Sequence, residues 1–237
     1  MEFEKKVALV TGGARGIGLS IAQALVREGA SVFICGRNPV TLKMALGHLH
    51  ALRDENVADG AVADVRQYEE CRRVVQEAVT RFGRLDILVN NAGVGIFKPI
   101  DQLTVEEWDA AIQTNLSGVF YCCREAIPVM RQGGGGHIFN VSSLLGIHGV
   151  AGGSAYCASK FGLEGFSEAM LLDYRRENIG VCTIAPGSVD TELFGAPTGG
   201  DWKIRPEDVA RVVIAVLTMP PRTLISRVEM RPLKPSK

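Results

Sequence analysis

A short valine-rich run near the start of the chain feeds directly into a cluster of glycines, and an amphipathic stretch follows at once. Lys5 to Thr11 reads K-K-V-A-L-V-T, and Gly12-Gly13-Ala14-Arg15-Gly16-Ile17-Gly18 comes next. Such a run suits a strand buried on both faces of a parallel sheet. From Leu19 to Glu28 the apolar residues Ile21, Ala22, Leu25 and Val26 form one helical stripe, Gly29 stops it, and Ala30 to Cys35 reads as a second strand. Strand, glycine turn, helix and strand within about thirty residues is the setting in which backbone N–H groups and a helix N-terminus receive a pyrophosphate. The spacing is GxxxGxG, on Gly12, Gly16 and Gly18, rather than GxGxxG. Without a ligand the same residues would be a plain tight turn. The flanking strand and helix favour the phosphate-binding reading.

The alternation continues to the end of the chain. Strands are expected at 60–65, 85–89, 137–142 and 180–185, with a last one near Val228-Glu229-Met230-Arg231. Helices are expected over Glu69–Phe82, from Thr104 to about Arg131 with Thr104 opening a capping box, over Ser154–Glu177, and from Pro206 onward. Residues 232–237 read as a frayed tail. Regular βα alternation without an internal linker predicts one α/β domain over 1–237, a doubly wound parallel sheet of the Rossmann type. In such sheets ligands sit beyond the carboxyl ends of the strands. Gly12–Gly18, Arg37, Asp64, Asn91, Ser143 and Pro186-Gly187 all fall there.

The end of the second strand bears on the cofactor. An acid there would bind the ribose 2′-hydroxyl of NAD, whereas an arginine accepts the 2′-phosphate of NADP. This chain has Gly36-Arg37-Asn38, and Arg15 in the glycine turn can close on the same phosphate. As solvated surface charges the two arginines would say nothing; at this strand end they point to NADP(H).

Tyr156 and Lys160 stand one helical turn apart in S-A-Y-C-A-S-K, with Ser143 upstream. Residues at i and i+4 share a helix face. An ammonium beside a phenol is expected to lower the phenol pKa, so that Tyr156 exchanges a proton with an alcohol near neutral pH. Ser143 would hold the same oxygen from the other side. Alone, this spacing describes an ordinary exposed Tyr and Lys; behind a glycine turn it describes a proton donor.

Composition closes off other classes. Lys+Arg and Asp+Glu are equal at 26 each, which leaves no basic field for nucleic acid. No apolar run approaches the roughly 18 residues of a membrane span, and the first residues carry no signal-peptide pattern. The six cysteines form no CxxC pair and read as reduced core thiols of a cytoplasmic protein, and the four histidines make no metal-ligand cluster.

With the glycine turn, Asn90-Asn91-Ala92-Gly93, Ser143 and Tyr156-x-x-x-Lys160 in this order, the chain resembles the short-chain dehydrogenases/reductases from Val7 to about Ala215. The resemblance implies that Tyr156 is the general acid in reduction and the base in oxidation. It implies that Lys160 tunes it and holds the nicotinamide ribose, and that Ser143 binds the substrate carbonyl. Asn115 matches the family's helix asparagine, which supports a water relay to the lysine; otherwise it is a mid-helix asparagine bonded to its own backbone. Asp64 and Val65 resemble the adenine contacts, with a helix cap as the competing role for Asp64. Asn91, Ala92 and Gly93 resemble the adenosine-ribose segment. Pro186, Gly187, Val189 and Thr191 resemble the carboxamide and phosphate contacts.

The implied activity is that of an NADP(H)-dependent carbonyl reductase, reversible as an alcohol dehydrogenase, on a small ketone, aldehyde or secondary alcohol. A 3-oxoacyl thioester reductase is the alternative, with Arg131, Arg175 and Arg176 facing an acidic carrier protein, and a non-catalytic nucleotide sensor is the distant one. Self-association as a dimer or tetramer through the helices at 104–131 and 154–177 is implied as well. Two segments depart from the family pattern. The region after Thr191 is short and glycine-rich, with Phe194 and Trp202 as candidate caps on the pocket and His148 and Val150 as candidate borders. The C-terminal Ile225–Leu233 lacks the Asp-Gly-Gly turn of many 3-oxoacyl-carrier-protein reductases.

Overall fold

The computed structural model describes residues 3–194 and 199–234. Seven strands form one parallel sheet in the order β3-β2-β1-β4-β5-β6-β7. They are β1 Val7–Thr11, β2 Ser31–Gly36, β3 Ala58–Val62, β4 Ile87–Asn90, β5 Gly136–Val141, β6 Ile179–Pro186 and β7 Arg227–Met230. Between them run α1 Gly16–Arg27, α2 Pro39–His50, α3 Tyr68–Phe82, α4 Val105–Ile112, α5 Gly118–Gln132, α6 Ser154–Tyr174 and α7 Pro206–Leu217.

Successive strand residues point to opposite faces, and both faces are covered. From β1, Ala8 and Val10 join Ile34, Val89 and Ile184 beneath α1, α2 and α7. Leu9 turns the other way and joins Phe33, Leu88, Ile138 and Val181 beneath α3, α5 and α6. This two-sided burial is why the strands read as continuous apolar runs. At the amino end of the sheet, buried Asp86 accepts from the Val7 amide, Lys6 and the Arg84 fork, which ties β4 to β1. Beyond the carboxyl ends of β1 and β4 the chain leaves toward opposite faces of the sheet, because the strand order reverses between them, and a crevice opens there.

Three sequence expectations shift, and one helix was not foreseen. The third strand ends at Val62, so Asp64 and Val65 lie in the turn beyond it. The helix expected from 104 to 131 is two helices: α4, capped by the Thr104–Glu107 box, and α5, joined through a π-helical turn over Gln113–Ser117. Helix α6 ends at Tyr174 and passes into a short 3₁₀ turn. Helix α2 is not foreshadowed by periodicity, since Val40 and Met44 lie exposed and blur its stripe. Of the expected tail, residues 235–237 lie outside the described residues. No helix among the described residues is long and apolar enough to cross a membrane, and the six cysteines are buried and unpaired.

Candidate active site

The crevice has a volume of about 440 Å³ and runs across the carboxyl ends of β1, β2, β4, β5 and β6. Its floor is the glycine turn. Gly12 and Gly16 have φ of +63° and +52°, a conformation that side chains disfavour. A Cβ on Gly12 would come within 3.0 Å of Ala92 Cα, and one on Gly18 within 2.4 Å of both Gly12 O and Asn91 Nδ2. Gly18 therefore does not line the crevice; it lets α1 seat against the turn. Asn91 locks the arrangement by donating to Thr11 O at 3.0 Å and Gly12 O at 3.1 Å. Thr11 Oγ1 accepts from the amides of Asn91 and Ala92 at 3.0 and 3.1 Å. Thr11 gave no signal in the sequence beyond ending a strand.

Arg15, Gly16, Ile17, Arg37 and Asn38 line one end of the crevice together with Thr41, which sequence reasoning missed. Asn38 caps α2 and accepts from the amides of Val40 and Thr41, so Arg37 is held at the mouth by a fixed helix start. Asp64 and Val65 line the adjoining wall. Asp64 does not cap α3, whose cap position is Gln67. Its carboxylate takes the Arg66 fork, with Nη2 to Oδ2 at 2.6 Å, and this pairing holds its pKa below the usual carboxylate range. Asn91, Ala92 and Gly93 form the centre of the crevice, and Pro186, Gly187, Val189 and Thr191 the far wall.

At that far end Ser143, Tyr156 and Lys160 come together. Ser143 opens a 3₁₀ turn after β5. Its Oγ accepts from Leu145 N at 3.1 Å, and its hydrogen bond to Tyr156 favours the phenolate. Tyr156 and Lys160, on one face of α6, are only 4% and 5% exposed. The ammonium donates to Val141 O at 2.7 Å and lies 5.8 Å from the centroid of the tyrosine ring. The expected lowering of the phenol pKa is not what the structure gives. Burial pushes Tyr156 up to about 12 against the opposing Ser143 bond. Burial also brings Lys160 down to about 8 against the attraction of Glu164. The physical reason is that the ammonium is directed at a backbone carbonyl, while desolvation acts on both groups. At neutral pH Tyr156 is then a protonated phenol, the form that can give a proton.

Asn115 lies in the π-helical turn, fully buried, and does not bond its own helix. Its Oδ1 accepts from Val94 N at 2.8 Å, and its Nδ2 donates to Val94 O at 2.9 Å and Ser159 Oγ at 3.0 Å. Ser159 in turn donates to Tyr156 O at 2.7 Å. Both amide protons are thus committed to bracing the 91–94 segment against α6. Single π turns of this kind are often found at functional sites. The only sequence signal for it was an asparagine out of place in a helix.

Phe97 packs on the Tyr156 ring with centroids 5.4 Å apart and forms an apolar flank that the sequence did not announce. The expected pocket borders are placed elsewhere. His148 and Val150 are not among the residues lining the crevice; His148 lies beside Arg231, at 3.5 Å. Trp202 is also absent from the crevice wall and sits under Lys203. The Phe194 side chain lies outside the described residues. Arg131, one of the arginines considered for a carrier protein, is paired with Glu177.

The family model described as short chain dehydrogenase matches residues 6–198. An uncharacterized oxidoreductase of Staphylococcus saprophyticus is 32% identical over 98% of this chain and 100% of its own length. Among solved structures, a metagenomic short-chain oxidoreductase in complex with NADP has a TM-score of 0.87 and 34% identity, over 99% of this chain and all of the other. An alcohol dehydrogenase from the archaeon Thermococcus sibiricus, complexed with 5-hydroxy-NADP, has a TM-score of 0.90 and 26% identity, covering 98% and 99%. The glycine turn, the Ser143–Tyr156–Lys160 cluster and these full-length matches agree: the chain belongs to the short-chain dehydrogenase family and is an oxidoreductase.

Proposed function

We propose that the protein is an NADPH-dependent carbonyl reductase, reversible as an alcohol dehydrogenase, acting on a small ketone, aldehyde or secondary alcohol. The observation that carries this reading is the Ser143–Tyr156–Lys160 cluster standing at one end of a crevice floored by side-chain-free backbone. A nicotinamide dinucleotide fits that crevice, because Gly12 and Gly16 line it without side chains and in a conformation that side chains disfavour. Gly12, Arg15, Gly16 and Ile17 would hold its phosphates, Asp64 and Val65 its adenine, Asn91 to Gly93 its ribose, and Pro186, Gly187, Val189 and Thr191 its nicotinamide end. When bound, the dinucleotide supplies the hydride.

The protein supplies the rest. Ser143 and Tyr156 converge on the place of the carbonyl oxygen, and their hydroxyls stabilise the negative charge that develops there. Tyr156, protonated at neutral pH, gives its proton to that oxygen, and the resulting phenolate is compensated by the Lys160 charge. In the reverse direction the phenolate accepts the alcohol proton. Asn115 keeps the 91–94 segment and α6 in register while this happens. The preference for the 2′-phosphorylated cofactor is supported by Arg15 and Arg37 lining one end of the crevice with Asn38 and Thr41. The half-exposed Phe120, Phe161 and Leu172 on α5 and α6 support self-association through those helices.

A spectrophotometric screen of NADPH and NADH against ketones and aldehydes tests activity and cofactor choice together. Turnover with NADPH well above that with NADH is expected. A clear NADH preference would remove the Arg37 argument, and no turnover with either would remove the enzymatic reading.

A further inference from the structure

The crevice wall made by Asp64 and Val65 lies past the end of β3, so the sheet ladder does not hold it. Ala63, whose amide donates to Gly36 O at 3.0 Å, is still tied to β2. Beyond it the chain turns away, and its backbone groups need other partners. The first turn of α3 supplies them. The Asp64 amide donates to Glu70 Oε2 at 2.5 Å, and Cys71 Sγ donates to Val65 O at 3.3 Å.

Glu70 is the third residue of α3, after the cap position at Gln67. A glutamate at that place ordinarily reaches back to the amide of the cap residue. Here the Gln67 amide already donates to Asp64 O at 2.9 Å. The Glu70 carboxylate instead reaches three residues further, to an amide outside the helix. The Asp64 carboxylate is taken by the Arg66 fork, so Glu70 acts on the backbone of the wall and Arg66 on its side chain. Helix α5 closes on the same segment: a Cβ on Gly118 would lie 2.8 Å from Val65 O and 3.0 Å from Val65 Cγ2. The wall is thus fixed by two helices that do not themselves face the crevice, and its one charge-assisted main-chain bond is the one to Glu70.

We propose that Glu70 is a positioning residue for the adenine end of the crevice: by holding the Asp64 amide, its carboxylate sets the Asp64–Val65 backbone before a nucleotide arrives. The inference deepens the proposed function, since it rests on Asp64 and Val65 receiving the adenine.

The two halves of the cofactor separate this role from a general loosening of the fold. Calorimetric titrations would use 2′,5′-ADP, which carries the adenine end, and reduced nicotinamide mononucleotide, which carries the other. In Glu70→Ala the affinity for 2′,5′-ADP is expected to fall about tenfold, with the affinity for the mononucleotide unchanged. KM for NADPH should rise by the same factor while kcat at saturation stays at the wild-type value. Glu70→Gln keeps an acceptor oxygen at the same reach and should recover most of the loss. Where Glu70→Ala does not fold, Glu70→Asp, one methylene too short for the reach, takes its place. An unchanged affinity for 2′,5′-ADP overturns the proposal, as does equal weakening of both halves or a Glu70→Gln protein as weak as Glu70→Ala. A wild-type protein that fails to bind 2′,5′-ADP overturns it together with the cofactor assignment. One that binds 2′,5′-ADP and responds to Glu70→Ala as expected, but reduces no carbonyl compound, would sink the functional reading and leave this one standing.

Discussion

The glycine turn after β1 and the polar face of α6 border the same crevice and are built by opposite means. In the turn, space is made by leaving side chains out. Gly12 and Gly18 bring backbone to backbone, Gly16 takes a positive φ, and Asn91 and Thr11 fasten the turn with hydrogen bonds to main-chain atoms. On α6, buried side chains form the site. Tyr156 and Lys160 sit in the interior on partners drawn from β5 and the Ser143 turn. None of the hydrogen bonds that fasten the turn uses a titratable side chain, so its geometry is indifferent to pH. The α6 face stores its properties in protonation states that burial has moved. A dinucleotide needs a fixed receptor, whereas proton transfer needs groups whose charge can change.

That contrast can be broken at either side. The largest effect is expected for Tyr156→Phe, which should cut carbonyl reduction by roughly 10²- to 10⁴-fold, as loss of a general acid does. Cofactor affinity, measured by fluorescence titration, should stay near the wild-type value. A loss of affinity as large as the loss of turnover would mean that the two sides are not separable.

Gly18→Ala should do the reverse. Its methyl group would meet Gly12 O and Asn91 Nδ2 at 2.4 Å, and backbone cannot yield as a flexible side chain can. Unfolding free energy is expected to fall by roughly 1–3 kcal/mol, with cofactor affinity falling alongside. Denaturant melts and the same titration check both, and wild-type values in each would show that α1 does not need this close approach.

Arg37→Met sharpens the comparison within the dinucleotide side. NADPH affinity should weaken by roughly ten- to hundredfold, the worth of a charged hydrogen bond, while NADH affinity stays unchanged. Equal weakening for both would detach Arg37 from the 2′-phosphate.

The smallest effect concerns stability and pH. Lys160 has a folded pKa of about 8 against an ordinary 10.5. Its burial therefore costs stability in full below pH 8, and the cost fades as pH rises to 10.5, because the unfolded chain binds the extra proton in that window. Lys160→Met should accordingly be more stable than wild type at pH 7, by on the order of 1–3 kcal/mol. The difference should close above pH 10.5. Comparing the two proteins isolates the lysine, since buried Cys35, Cys123 and Cys182, each pushed up to about 12, add a common alkaline loss. A difference that does not vary with pH would mean that the ammonium is not desolvated.

The dinucleotide side was legible because its determinants are contiguous. Strand, glycines and helix follow one another within β1 and α1, and the arginine stands at the end of β2. The proposed catalytic side was legible in part. Tyr156 and Lys160 could be paired because a helix places i and i+4 together, and Ser143 stood close upstream. Hidden from view were Thr11, Phe97 and the brace that Asn115 makes, because each acts on a residue distant in sequence, and Thr41, which reaches the crevice through the placement of α2. The π-helical turn was hidden for the same reason. Its Asn115 exchanges a pair of hydrogen bonds with Val94, accepting from the amide and donating to the carbonyl, and no local propensity records them.

The sequence by itself determined that strands alternate with helices, and which side chains stand at the carboxyl ends of those strands. Covalent order and helical or strand periodicity suffice for that. Tertiary structure alone decided how those side chains behave. It turned the Lys160 ammonium toward Val141 O, raised the Tyr156 phenol instead of lowering it, and set Glu164 against Thr183. Charge states depend on distance and desolvation, and both are properties of the packed interior.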